Sequence, residues 1–315
     1  MTAKKRQRLK MLSWLSGYFP WNWTHVPRLL QTSWRPHIKW TEAYANELRQ
    51  SINDFKVQGS EIENLNVLLI GYAGAGKSSF YNTCLTAVTN DKRIEKAFSA
   101  GNHGTSLTLR LNKTTIALKD QSAVRLNLFD CKGLHEGKSG ILIEELHDVI
   151  EGKIPVGYEF KKAEDDQRPQ NAPNPNPKLQ DKMQCIVLVI DASKGAETTE
   201  WYKSTIDELK RKYHYNKDIQ MAILLTHVDR LRGSIDKDTT HVFRSSEVQE
   251  KVAEIAHMFS ISEGDILPMV NYSKDQTPTL EKDILALFNM LHIMGMANDY
   301  VKHIIPMEKP VVGSN

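Results

Sequence analysis

From residue 67 onward the chain alternates short apolar runs with stretches whose apolar positions recur every three or four residues. The runs at 67–70, 185–190, 221–225 and 266–270 are continuous rather than alternating, the pattern of strands covered on both faces, while 124–129 carries Arg125 and Asn127 between its apolar residues. Between and after them the spacing predicts helices over 78–88, 141–150, 198–213, 245–259 and 279–293. Strands alternating with amphipathic helices predict a mostly parallel α/β sheet in a three-layer sandwich. Two extended stretches, 105–111 and 114–118, with Asn112-Lys113 between them as a turn, predict an antiparallel pair that gives this sheet one antiparallel edge strand. Upstream, Trp40, Tyr44, Leu48, Ile52 and Phe55 recur at helical spacing behind Thr41, an N-cap residue type. That N-terminal helix is expected to cover the flank of the domain.

Two regions break the rhythm. Across 152–181, Pro155, Pro169, Pro173, Pro175 and Pro177 with Asn171, Asn174 and Asn176 disfavour regular structure, so 167–178 reads as a surface excursion. Residues 1–33 form a basic-aromatic tail: Lys4, Lys5, Arg6, Arg8 and Lys10, then Trp14, Tyr18, Phe19, Trp21 and Trp23. Basic residues beside Trp and Phe suit weak contact with a membrane surface, and the competing reading is an arm packed on the domain. The expected layout is tail 1–33, domain 34–300 and C-terminal tail 301–315.

Composition adds limits. The formal net charge of +3 resides in the tail, and the remainder is slightly acidic, so no nucleic-acid-binding surface is implied. Cys84, Cys131 and Cys185 are too few and too scattered for a disulfide framework or a zinc site, a usage that suits a reducing cytosol. The apolar run at 11–19 is short, interrupted and lacks a small-residue cleavage site, so secretion is not expected, and no run approaches a membrane span.

The candidate chemistry begins where the first strand ends. Gly71, Gly76, Lys77 and Ser78 stand at the spacing of the phosphate-binding loop, in the stretch Gly71-Tyr72-Ala73-Gly74-Ala75-Gly76-Lys77-Ser78-Ser79. Gly71, Gly74, Ala75 and Gly76 supply a tight turn whose amides face an anion, and Ser78 and Ser79 open a helix whose N-terminus favours negative charge. Lys77 is expected on the β- and γ-phosphates and Ser78 on Mg²⁺. The fold implied is a P-loop NTPase, small-GTPase-like.

Later strand ends choose the nucleotide. Asp130-Cys131-Lys132-Gly133 offers a carboxylate to Mg²⁺ and a glycine amide to a γ-phosphate. Thr226-His227-Val228-Asp229 places Asp229 where one carboxylate accepts both N1–H and the exocyclic amine of guanine. His227 stands where a lysine is usual, without its stem or fixed charge. Asn271-Tyr272-Ser273-Lys274 follows the last strand, where a backbone N–H at Tyr272 or Ser273 would meet the guanine oxygen. Thr105 and Thr108 both fit as the magnesium threonine of the first switch, with Thr108 in the more familiar Ser-x-Thr setting.

With these residues in place the chain resembles the P-loop GTPase domain of the interferon-induced protein 44 family, over 34–293. The resemblance rests on Ser33-Trp34-Arg35-Pro36-His37-Ile38-Lys39-Trp40-Thr41-Glu42, on the loop through Asn82, on 130–134, and on Asp191, 226–229 and 271–273. It implies a cytoplasmic, infection-responsive GTP-binding protein of innate immunity. Relatives often carry a further domain ahead of this one, so the chain looks like a short or divergent member.

Catalysis is the open point. Leu134 follows Gly133 where small GTPases place a glutamine that orients water. His135 is a substitute candidate, or a plain loop residue. Two readings follow: a slow GTPase switch helped by nucleotide-dependent self-association or an unspecified protein partner, or a GTP/GDP-binding scaffold without significant hydrolysis. A nucleoside kinase would need an arginine-rich lid, and 152–181 holds only Arg168.

Overall fold

The computed structural model describes residues 29–57, 62, 64–91, 93–94, 110–116, 125–134, 141–160, 174–194, 199–214, 219–273, 275 and 277–304. The tail through residue 28 and the C-terminal residues from 305 lie outside them. Among the described residues six strands form one sheet: β1 (Asn64–Gly71), β2 (Asn112–Ile116), β3 (Arg125–Asp130), β4 (Cys185–Asp191), β5 (Gln220–Thr226) and β6 (Ile266–Pro268), in the order β2-β3-β1-β4-β5-β6. All neighbouring pairs are parallel except β2 with β3. Consecutive strands β3 and β4 lie on opposite sides of β1, so the strand order reverses at β1, and ligands of open α/β sheets sit outside the carboxyl ends at such a point.

The helices are α1 (Glu42–Asn53), α2 (Lys77–Thr89), α3 (Ile143–Ile150), α4 (Thr199–Leu209), α5 (Gly233–Lys237), α6 (Ser246–Phe259) and α7 (Leu280–Ile304). Helix α7 packs on α1 and α2, and α4 packs on α6. The central strands supply the core: Val67 to Ile70, Cys185 to Val189 and Ala222 to Leu225 are all buried, as continuous apolar runs require. Thr41 caps α1 by accepting the Tyr44 N–H at 3.2 Å. The P-loop NTPase fold expected from the sequence is the fold observed, antiparallel edge strand included.

Three local expectations change. Asn112 and Lys113 do not form a turn; they lie inside β2, opposite Asp130 and Phe129. As an edge strand, β2 tolerates polar side chains because Lys113 reaches solvent. Helix α7 continues to Ile304 instead of ending at 293, because Tyr300 and Val301 carry the buried face onward. Gly295 lies in that extension with open space around its missing Cβ, so it lowers helix propensity without breaking the packing. Helix α4 ends in a π-turn, Lys210–His214, which turns Lys210 and Tyr213 inward; the Lys210 ammonium donates to the Phe259 carbonyl at 2.6 Å at the end of α6.

The Trp34-Arg35 lead-in forms a clasp. The buried Arg35 guanidinium donates to the Glu263 carbonyl at 2.9 Å and the Ile266 carbonyl at 2.6 Å. It lies 5.1 Å from the Trp34 ring centre and 5.5 Å from that of Phe243. Leu29 bridges Ser245 and the Leu30 N–H bonds the Arg244 carbonyl, so contact with the domain begins ahead of residue 34.

Candidate functional site

The loop after β1 is held from several directions. Gly76 takes φ 99° at the N-cap of α2, a conformation open to glycine, and an added Cβ would lie 3.1 Å from the Asn271 amide nitrogen. Gly74 is also left-handed, at φ 76°. The buried Lys77 ammonium donates to the Gly71 and Tyr72 carbonyls, each at 3.0 Å. That places its charge inside the turn, beside the first amides of α2, which have no carbonyl of their own helix to bond. The Ala75 N–H closes the turn on the Tyr72 carbonyl at 3.1 Å, and Ser79 gives its carbonyl to the Thr83 hydroxyl at 2.7 Å. The loop therefore presents a cation and a helix N-terminus at one point, a setting suited to phosphate.

Asp130 ends β3 beside this point. The Ser78 hydroxyl lies 3.3 Å from Asp130 Oδ2, so the two residues expected on Mg²⁺ meet. A hydroxyl and a carboxylate are the hard oxygen donors that this ion prefers. Gly133 runs against the loop: a Cβ there would stand 2.9 Å from the Ala73 nitrogen. Leu134 is buried in the core and its N–H bonds the Gly71 carbonyl at 3.1 Å. Cys131 is buried as well, and burial first, then the Asp130 charge, pushes its thiol up to about 12.

The guanine stations divide. Asp229 lies half-buried in the turn Val228–Arg230 after β5. His227 takes a left-handed conformation, φ 56°, with Nδ1 3.3 Å from Asp191 Oδ2 and 3.2 Å from the Thr226 hydroxyl. Burial lowers the His227 pKa from 6.5, and the Asp191 carboxylate opposes that shift. Asp191 is itself anchored, accepting from the Ser193 hydroxyl at 2.6 Å and the Ser193 N–H at 3.0 Å. Thr226 is fully buried, its hydroxyl 2.6 Å from the Ala75 carbonyl, so it braces the loop. The Tyr272 N–H goes to the Thr83 hydroxyl at 3.0 Å, and its phenol to Asp283 at 2.8 Å. The Ser273 N–H goes to Asp275 at 3.0 Å. Both amides expected at the guanine oxygen are thus bonded within the protein.

Thr105, Thr108, His135 and Lys274 lie outside the described residues. Sequence reasoning overlooked Tyr202 of α4, whose hydroxyl accepts the Tyr72 N–H, and Asn271, whose amide nitrogen is 3.3 Å from the Gly76 carbonyl. Asn271 stood inside a segment already singled out; nothing in the spacing around Tyr202 points to the loop.

No family model matches the chain. It is 28% identical to interferon-induced protein 44 of Mus musculus over 269 residues, covering 84% of this chain and 62% of that protein. The Homo sapiens protein of the same name is 26% identical, with 84% and 60% covered. Interferon-induced protein 44-like of Homo sapiens is 24% identical, with 84% and 58% covered. The chain spans about three-fifths of the length of these curated relatives. Among solved structures it is similar to Toc33 from Arabidopsis thaliana in complex with Mg²⁺ and GMPPNP, with TM-score 0.47, 15% identity and coverage of 83% of this chain and 97% of that one. It is also similar to Era in complex with MgGDPNP and ribosomal RNA, with TM-score 0.40, 15% identity and coverage of 80% and 60%. Over 84% of its length the chain is thus similar in sequence, at 24–28% identity, to the interferon-induced protein 44 and 44-like proteins.

Proposed function

We propose that the chain binds guanine nucleotide with Mg²⁺ at the carboxyl edge of β1 and acts as a slow GTPase or nucleotide-dependent switch. The observation that carries the reading is the convergence of Lys77, buried inside the loop, with the Ser78–Asp130 pair at 3.3 Å. Gly71, Gly74, Ala75, Gly76, Lys77, Ser78 and Ser79 would cradle the phosphates. Ser78 and Asp130, with Thr108, would hold the ion, whose charge would offset that of the β- and γ-phosphates. Gly133, which abuts the loop at Ala73, would lend its amide to the γ-phosphate. Asp229 would select guanine, beside His227.

A cytoplasmic role in interferon-linked innate antiviral response is proposed from the likeness to the interferon-induced protein 44 proteins. One observation favours the second reading, a nucleotide-bound scaffold: Leu134 is 2% exposed and has no polar side-chain atom to hold water. His135 is the remaining candidate for that task.

Titration of GTP, GDP and ATP with Mg²⁺ tests the assignment. Lys77→Ala is expected to weaken GTP binding by roughly two orders of magnitude, since charge-assisted phosphate bonds are lost. Asp229→Asn is expected to weaken GTP about tenfold or more while sparing ATP. If all three proteins bind GTP equally, the phosphate site lies elsewhere; wild-type preference for ATP removes the guanine assignment.

A further inference from the structure

The β1–β4 ladder ends at Gly71 opposite Val189. Beyond it β4 turns toward β5, where the Ala192 N–H bonds the Thr226 carbonyl at 2.9 Å. The next amide of the loop, Tyr72 N–H, is taken by a side chain from a helix: the hydroxyl of Tyr202 in α4. Tyr202 is 4% exposed, and its ring lies 4.3 Å from that of Tyr72, tilted 45°.

That N–H belongs to the same planar group as the Gly71 carbonyl. The two ends of a trans peptide point in opposite directions, so tilting one moves the other. The Gly71 carbonyl accepts the Lys77 ammonium at 3.0 Å and the Leu134 N–H at 3.1 Å. One peptide group thus joins α4, the lysine of the loop and the segment after Asp130. We propose that Tyr202 is a positioning residue of the nucleotide site, acting through the Gly71–Tyr72 peptide to place the Lys77 ammonium. The inference rests on the nucleotide reading above and extends the site to a helix that no loop motif includes.

Without the hydroxyl, the Tyr72 N–H loses the acceptor that Tyr202 supplies at this part-buried position. Such a group recovers a partner by moving, and movement of this plane takes the carbonyl off Lys77. Burial raises the Tyr202 phenol well above its usual 10, so the hydroxyl stays protonated and the brace is indifferent to pH in the physiological range.

Tyr202→Phe keeps the ring against Tyr72 and removes the hydroxyl. Its Kd for both GDP and GTP should rise roughly three- to tenfold, through faster release, because the β-phosphate is common to both. Tyr158→Phe removes another inward-facing hydroxyl, which donates to Glu145 at 3.2 Å away from the loop, and should leave both Kd values unchanged. A Tyr202→Phe protein with wild-type Kd values, while Lys77→Ala loses binding, overturns the inference and leaves the nucleotide reading standing. Equal Kd changes in Tyr202→Phe and Tyr158→Phe also overturn it, since they report general loosening. If Lys77→Ala binds like wild type, the nucleotide reading fails and this inference with it.

Discussion

His227 occupies a position where a lysine would carry a fixed charge, and its surroundings make that charge conditional. The groups around it are Asp191, Arg230, Asp229 and Lys194, of both signs. Its folded-state pKa lies below the unfolded 6.5, so the unfolded chain takes up this proton first as pH falls. The associated stability is complete above pH 6.5, declines as pH falls toward the lowered folded value, and levels off below it. Denaturant midpoints at pH 7.5 and 5.5 should therefore differ more in wild type than in His227→Gln, whose side chain keeps a polar group and does not titrate. Equal differences in the two proteins would mean that the folded environment leaves this imidazole unperturbed. The replacement of lysine by histidine was readable in the sequence, as was that of glutamine by Leu134. Their settings were not. The Asp191 contact and the burial of Leu134 depend on where β4 ends and how closely Gly133 approaches the loop, and both are set by the tertiary arrangement.

At the scale of elements, the chain divides by the kind of interaction that forms each piece. The central strands and longer helices were readable because burial imposes a period on them: β4 and β5 appear within one residue of expectation, and β1 starts three residues early, at Asn64. The bounds of the edge strand and the π-turn were not, because each answers to a particular neighbour: solvent at Lys113, and the end of α6 at Lys210. The Trp34-Arg35 lead-in carried the family resemblance without disclosing its purpose. In the fold it pins the segment before α1 to the entry of β6, with Arg35 as the only charged group of that clasp among the described residues between 33 and 36. Burial lowers the Arg35 pKa to about 10, so the guanidinium remains charged at neutral pH. Arg35→Ala removes the side-chain donor from two carbonyls and the ring contacts to Trp34 and Phe243, a cost of about 2–4 kcal/mol. Arg35→Lys should recover little of it, since an ammonium lacks the flat guanidinium that lies against the Trp34 and Phe243 rings while one of its nitrogens bonds both carbonyls. Urea unfolding of the three proteins checks this; full recovery by lysine would show that charge alone, not shape, holds the clasp.

At the scale of the whole molecule, the braces on the loop and the absence of a side chain for water at Leu134 pull function in different directions. Bonds from Thr226, Asn271, Leu134 and Tyr202 converge on the loop from three strand ends and a helix, so the cradle is shaped before any ligand arrives. Preorganisation of this kind favours binding, because less ordering remains to be done on association. Hydrolysis asks for something else, a polar group that holds water in line with the γ-phosphate, and Leu134 is committed to the core. A protein built this way should turn over GTP alone at a rate on the order of 10⁻³ s⁻¹ or slower, the range of an unassisted GTPase. If the missing group comes from a second copy of the chain, phosphate release per molecule should rise with protein concentration and then saturate as the self-associated form fills. A low rate that is independent of concentration, and unaffected by His135→Ala, would leave binding as the whole of the nucleotide's role and favour the scaffold. A fast rate at high dilution would contradict both readings, since the protomer would then contain a complete catalytic set despite the burial of Leu134.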